Sequence, residues 1–161
     1  MRTPVIEAVQ PFAAELPGML LIVSSLALAL DGRLTRRTPV PPLGLTVGER
    51  PPDPTVPEEH REHPLFADIR TVYGTVHVPT LYRSLAARGL LDEAWRAVSP
   101  VLTSRDGRAR VDRLAAAGQE EALGFPDVGW FDVESARPVL EQFRRALPRN
   151  LVAVFALTPP G

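Results

Sequence analysis

The stretch His-Val-Pro-Thr-Leu-Tyr-Arg, residues 77–83, gathers an imidazole, a phenol and a guanidinium within seven positions. An imidazole titrates near neutral pH, so His77 is either a cavity acid or donor, or a structural histidine satisfied by the fold. The Arg83 guanidinium is a planar fork that grips a carboxylate through two hydrogen bonds, or forms a salt bridge within a helix pair. Tyr82 carries an apolar ring and a polar tip, suited to a core or to the polar wall of a cavity. The chain has no cysteine, which excludes disulfides, thiolate catalysis and Cys-ligated metals. It also lacks a phosphate-cradling glycine loop, a Gly-x-Ser-x-Gly elbow and a Ser-His-Asp spacing.

Two further polar clusters read as solvated surface. His60 and His63 sit among Glu58, Glu59 and Glu62, but their His-x-x-His spacing does not give the i, i+4 pair of a zinc-binding helix. No metal site is expected there. Arg105, Arg108, Arg110 and Arg113 alternate with Asp106 and Asp112 and carry no interleaved aromatics. That pattern is an exposed helix face rather than a nucleic-acid footprint, in keeping with a net charge of −1. All 18 basic residues are arginine, a composition that genome base content explains without special chemistry.

The elements that position residues 77–83 are helical. Pro79 fits the first turn of a helix and Gly89 the left-handed position that ends it, so 77–95 reads as two short helices hinged at Gly89. Leu81, Leu85, Leu91, Ala94, Trp95 and Val98 form apolar stripes at helical spacing. Helical patterning covers 4–30, interrupted by Pro11 and Pro17, and resumes from Glu58 through Gly74, across 108–123 and from Val133, where Asp132 suits the N-cap. The uncharged run 16–30 is short for a membrane span and lacks the basic flank of a signal peptide, so a fully buried core helix is expected. Residues 32–57 hold seven prolines and three glycines and read as an extended connector. The fold class is all-α, organised as a helical tail (1–31), the proline-rich connector (32–57) and a helical core (58–161).

An internal repeat links the ends of the chain. Phe12, Leu16, Pro17, Leu20, Val23 and Leu26 recur as Phe143, Leu147, Pro148, Leu151, Val154 and Leu157 at a constant offset of 131. The second copy closes a long helical unit whereas the first has none before it, which makes 1–31 the tail of a partial repeat.

With the segments ADIRTVYGTVHVPTLYRSLA (67–86), LDEAWRAVSPVL (91–102) and FRRALPRNLVAVFAL (143–157), this order resembles the group I D,L-2-haloacid dehalogenases. These are all-α proteins built from two such repeats. The resemblance covers about two-thirds of the chain and rests on order and spacing together. It implies a central cavity faced by the proline-started helix, with His77, Thr80, Leu81, Tyr82, Arg83 and Phe143 lining a site for a small carboxylic acid and no cofactor. In the family a carboxylate activates the water that displaces halide from C2. The matching position, immediately before the Tyr-Arg pair, is Leu81 here, and no Asp or Glu lies between Asp68 and Asp92. The expectation is therefore a relative without the water-activating aspartate, which binds a small acid or assembles with itself. The alternative is an active hydrolase of short 2-haloalkanoic acids. A cytoplasmic homodimer is expected, with contacts near Leu81, Leu85 and Trp95 covering the face that a second repeat would cover.

Overall fold

The computed structural model describes residues 3–34, 63–125 and 133–158, which form six helices and no strand. They are α1 (Thr3–Leu30), α2 (Leu65–Tyr73), α3 (Thr80–Ala87), α4 (Leu91–Thr103), α5 (Arg105–Ala122) and α6 (Val133–Leu157). The chain is all-α, as its periodicity requires. Asp132, His60 and the connector segment 35–57 lie outside the described residues.

Local chemistry sets the boundaries around residues 77–95. Pro79 is the N-cap of α3, in an extended conformation (φ −56°, ψ 144°), and its carbonyl accepts from the amide of Tyr82 at 3.0 Å. At the other end Gly89 takes φ 67°. The amides of Gly89 and Leu90 return to the carbonyls of Ala86 and Leu85, both at 2.9 Å, which satisfies two orphan acceptors and frees the chain to start α4 at once. The Ser104 hydroxyl caps α5 by accepting from the Gly107 amide at 2.9 Å. Gly107 itself lies so close to the Val101 carbonyl that no side chain fits. Of the helical patterning expected from Glu58, 58–62 lie outside the described residues. α2 starts at Leu65, after Pro64 at its N-cap, and the His63 imidazole accepts from the Leu65 amide at 3.3 Å. At a helix start proline costs no intrahelical hydrogen bond.

α1 departs from the sequence reading twice. It runs unbroken through Pro11 and Pro17 for 28 residues. Each proline removes one backbone hydrogen bond, and packing along α6 and α5 holds the helix together regardless. Nor is 16–30 fully buried: Leu16, Leu20, Val23, Ala27 and Leu28 face inward, whereas Met19 is 38 % and Ile22 61 % exposed. Only one face of the helix meets α5 and α6, so the opposite face stays open. By length and composition α1 is long and apolar enough to cross a membrane, with 33 % of its most apolar stretch buried inside the fold.

One core joins all six helices. α1 makes its most extensive contact with α6, α5 packs on both, and α2, α3 and α4 close one end. Leu81, Leu85 and Trp95 are 1 %, 0 % and 3 % exposed within this single chain. These three side chains belong to the chain's own core, and α1 packs against α3. α5 approaches α1 closely at Gly118, where an added Cβ would lie 2.9 Å from Leu20 Cγ. The arginines at 105, 108, 110 and 113 are all exposed on α5.

Candidate functional site

α3 has two unlike faces. Successive residues on an α-helix point about 100° apart, so Leu81 and Tyr82 cannot share a direction. Tyr82 turns inward. Its hydroxyl lies 2.8 Å from that of Tyr73, and its ring stands edge-on to Tyr73 and Trp95 at centroid distances of 5.5 and 5.3 Å. The Trp95 indole donates to the Asp68 carboxylate at 2.7 Å, tying α4 to α2. Burial pushes both tyrosine hydroxyls well above the usual phenol range, and the nearby Tyr82 raises Tyr73 further. This is a dry, internally satisfied aromatic cluster, and Tyr82 belongs to it rather than to a cavity.

The other face opens onto a cavity of about 340 Å³ between α1, α3 and α6. His77, Thr80, Leu81 and Arg83 line it from the α3 side, and Phe143 from α6. Five of the six residues singled out in the sequence thus come together, and Tyr82 alone does not. α1 supplies Phe12, Glu15, Leu16 and Met19, and α6 supplies Phe143, Ala146, Leu147 and Asn150. Within each helix these fall at i, i+3, i+4 and i+7, one stripe of a helical face, and the two sets are offset by 131 throughout. The loop entering α3 is held against α6, because the Val76 amide donates to the Gln142 side-chain oxygen at 3.0 Å.

Nine of the lining residues are apolar, and six polar side chains break the walls: Glu15, His77, Thr80, Arg83, Gln142 and Asn150. Arg83 Nη2 donates to the Thr80 hydroxyl at 3.1 Å, whereas Arg83 Nε is buried with no partner. Asn150 is 7 % exposed, and its Oδ1 is likewise buried and unpaired. A buried polar atom without a partner is costly, and native folds leave few of them. Among the described residues Glu15 is the one carboxylate lining the cavity, and it makes no ion pair with any of them. The salt bridge that Arg83 could have formed within the helix pair is absent among the described residues.

Sequence reasoning missed Glu15 and Asn150. The search for a carboxylate was confined to the neighbourhood of α3, and Asn150 lies in a run that reads as pure core. The repeat held the missing signal, since it aligns Glu15 with Ala146 and Met19 with Asn150 beside the matched Phe and Leu positions. His63 lies elsewhere, its Nε2 3.5 Å from the Asp92 carboxylate. Among the described residues no group of three or more His, Asp or Glu side chains could hold a metal ion.

Comparison of the chain with family models, curated proteins and solved structures finds no match. The likeness to the 2-haloacid dehalogenases therefore rests on the motifs in the sequence itself.

Proposed function

We propose that this chain is a divergent relative of the 2-haloacid dehalogenases that binds a small carboxylic acid in the α1–α3–α6 cavity without hydrolysing it. One observation carries the reading: the cationic Arg83 lines a cavity walled largely by apolar side chains and forms no salt bridge among the described residues. A carboxylate would meet the guanidinium through charge-assisted hydrogen bonds, while Leu16, Leu81 and Leu147 would cover the acid's apolar end. Leu81 cannot take a proton from water, so the expected base is missing from its place. The stripes of α1 and α6, offset by 131, support the partial-repeat reading, with each copy giving one wall. Self-assembly in the cytoplasm remains part of the proposal, through surface other than Leu81, Leu85 and Trp95. Ile22 and Phe155, 61 % and 60 % exposed, are the apolar side chains such a contact would cover.

The alternative, an active hydrolase, draws on Glu15. A carboxylate at the cavity could take a proton from water as its oxygen bonds to C2 and the carbon–halogen bond breaks, releasing halide. Halide release from 2-chloropropionate at neutral pH separates the two readings. None is expected, while 2-chloropropionate and other short acids should bind and lose at least tenfold in affinity on Arg83→Met. Steady release that Glu15→Gln abolishes would establish the hydrolase instead.

A further inference from the structure

We infer that this chain pairs with a second copy of itself through α5, antiparallel and about a twofold axis that crosses the helix beside Ala117. The inference rests on the self-assembly reading and deepens it by naming the surface. Arg110, Arg113, Leu114, Ala117, Glu120 and Glu121 recur at i, i+3, i+4, i+7, i+10 and i+11, one stripe along the outside of α5. Leu114 is half-buried and the other five are exposed. The stripe is basic in its N-terminal half, small at its centre and acidic in its C-terminal half. Asp106 continues the line one turn before Arg110, and Asp112 points to the opposite side of the helix. None of the four charged side chains from Arg110 to Glu121 on the stripe forms a hydrogen bond or ion pair among the described residues. Beside them Val152 and Phe155 of α6 complete an open groove of about 400 Å³, and Phe155 is 60 % exposed.

The acidic half is poorly placed in a helix on its own. Glu120 and Glu121 stand in the last turn, where the helix dipole favours cations, and no basic residue joins them there. A purely acidic partner would meet the arginines and be repelled by the glutamates, and a basic partner would do the reverse. A second α5 laid antiparallel answers both halves. Arg113 and Glu120 flank the stripe on one side, Arg110 and Glu121 on the other, and a twofold perpendicular to the helix pair keeps like flanks together. Arg113 of one protomer then lies opposite Glu120 of its partner, and Arg110 opposite Glu121, while the small Ala117 lets the backbones approach. The two helix dipoles oppose, and the α5–α6 grooves, each with its Phe155, fall on the same side of the seam.

Sedimentation velocity of the full chain, with charge-reversal and single-cysteine variants, tests this. The unaltered chain should sediment as a dimer at micromolar concentration. Arg113→Glu should weaken dimerisation at least tenfold, and adding Glu120→Arg should restore most of it, because the swap rebuilds the pair with its signs exchanged. The chain has no cysteine, so Ala117→Cys places one thiol per protomer beside the axis, and mild oxidation should link two copies through it. Asp112→Cys, on the opposite side of α5, should stay unlinked. All four positions are exposed, and far-ultraviolet circular dichroism checks that each variant keeps its helices. A dimer that ignores Arg113→Glu, a swap that restores nothing, or linkage at 112 rather than 117 would overturn the α5 seam and leave self-assembly through another surface standing. A monomer at every concentration would overturn both, and the small-acid reading of the cavity stands or falls separately.

Discussion

The two faces of α3 contain similar side chains and treat them in opposite ways. On the inner face every polar group has a partner: the Tyr73 and Tyr82 hydroxyls meet each other and the Trp95 indole meets Asp68. On the cavity side Arg83 of α3 and Asn150 of α6 each keep one buried polar atom without a partner. Buried polar networks that close on themselves stiffen a fold, whereas buried polar atoms with nothing to bond weaken it. The contrast teaches where to look for a ligand. The aromatic cluster is rich in functional-looking side chains and needs none, while the cavity is plainer and incomplete.

The largest expected effect lies on the inner face. Tyr82→Ala should cost about 3–5 kcal/mol of stability in urea unfolding, because it empties the centre of the Tyr73–Tyr82–Trp95 cluster. A loss below about 1 kcal/mol would mean that the cluster is not a packed core.

A smaller step removes one hydroxyl. Tyr73→Phe strands the Tyr82 oxygen and should cost about 1–3 kcal/mol, while adding Tyr82→Phe should recover part of the loss. Strict additivity of the two changes would show that the hydroxyls do not bond.

Alkaline pH tests the same pair. Both phenols are held neutral in the folded state by burial, so their folded-state pKa values are raised above the unfolded value. Their contribution is fully present below the unfolded value of about 10 and is lost as pH climbs through and beyond it. Melting temperature should fall above that pH, and the Tyr73→Phe/Tyr82→Phe double variant should flatten the fall. A variant that melts with an unchanged profile would remove the tyrosines from the explanation.

On the cavity side the sign reverses. Asn150→Leu should leave stability unchanged or raise it by about 1 kcal/mol, since it deletes a buried acceptor that has no partner. A loss larger than about 1 kcal/mol would mean that the asparagine is satisfied within the fold.

Much of this was legible from residue type and spacing. Pro79 and Gly89 marked the ends of α3 because their backbone constraints are local, and the 3.6-residue pattern carried the helical class. Five of the six residues that the resemblance implied line the cavity. What failed depended on distant partners. Periodicity gave Leu81 and Tyr82 no difference in direction that mattered, because only the placement of Tyr73 and Trp95 decides which side of α3 is the inside. The open face of α1 escaped notice for the same reason: an all-apolar run looks buried on every side until its neighbours are counted. Glu15 lies some seventy positions from Arg83 in the chain, and only the packing of α1 against α3 and α6 brings them to one cavity.

The side-chain N–H signals of the two faces can be watched in one nitrogen-15 NMR experiment, and this tests the central claim most directly. On adding a short apolar carboxylic acid, the Arg83 guanidinium N–H resonances should move downfield and exchange more slowly with water as the guanidinium meets the carboxylate. The Trp95 Nε1–H resonance, already bonded to Asp68, should stay in place. An Arg83 signal that ignores the acid, or moves no more than that of Trp95, would contradict the assignment of the cavity as a ligand site.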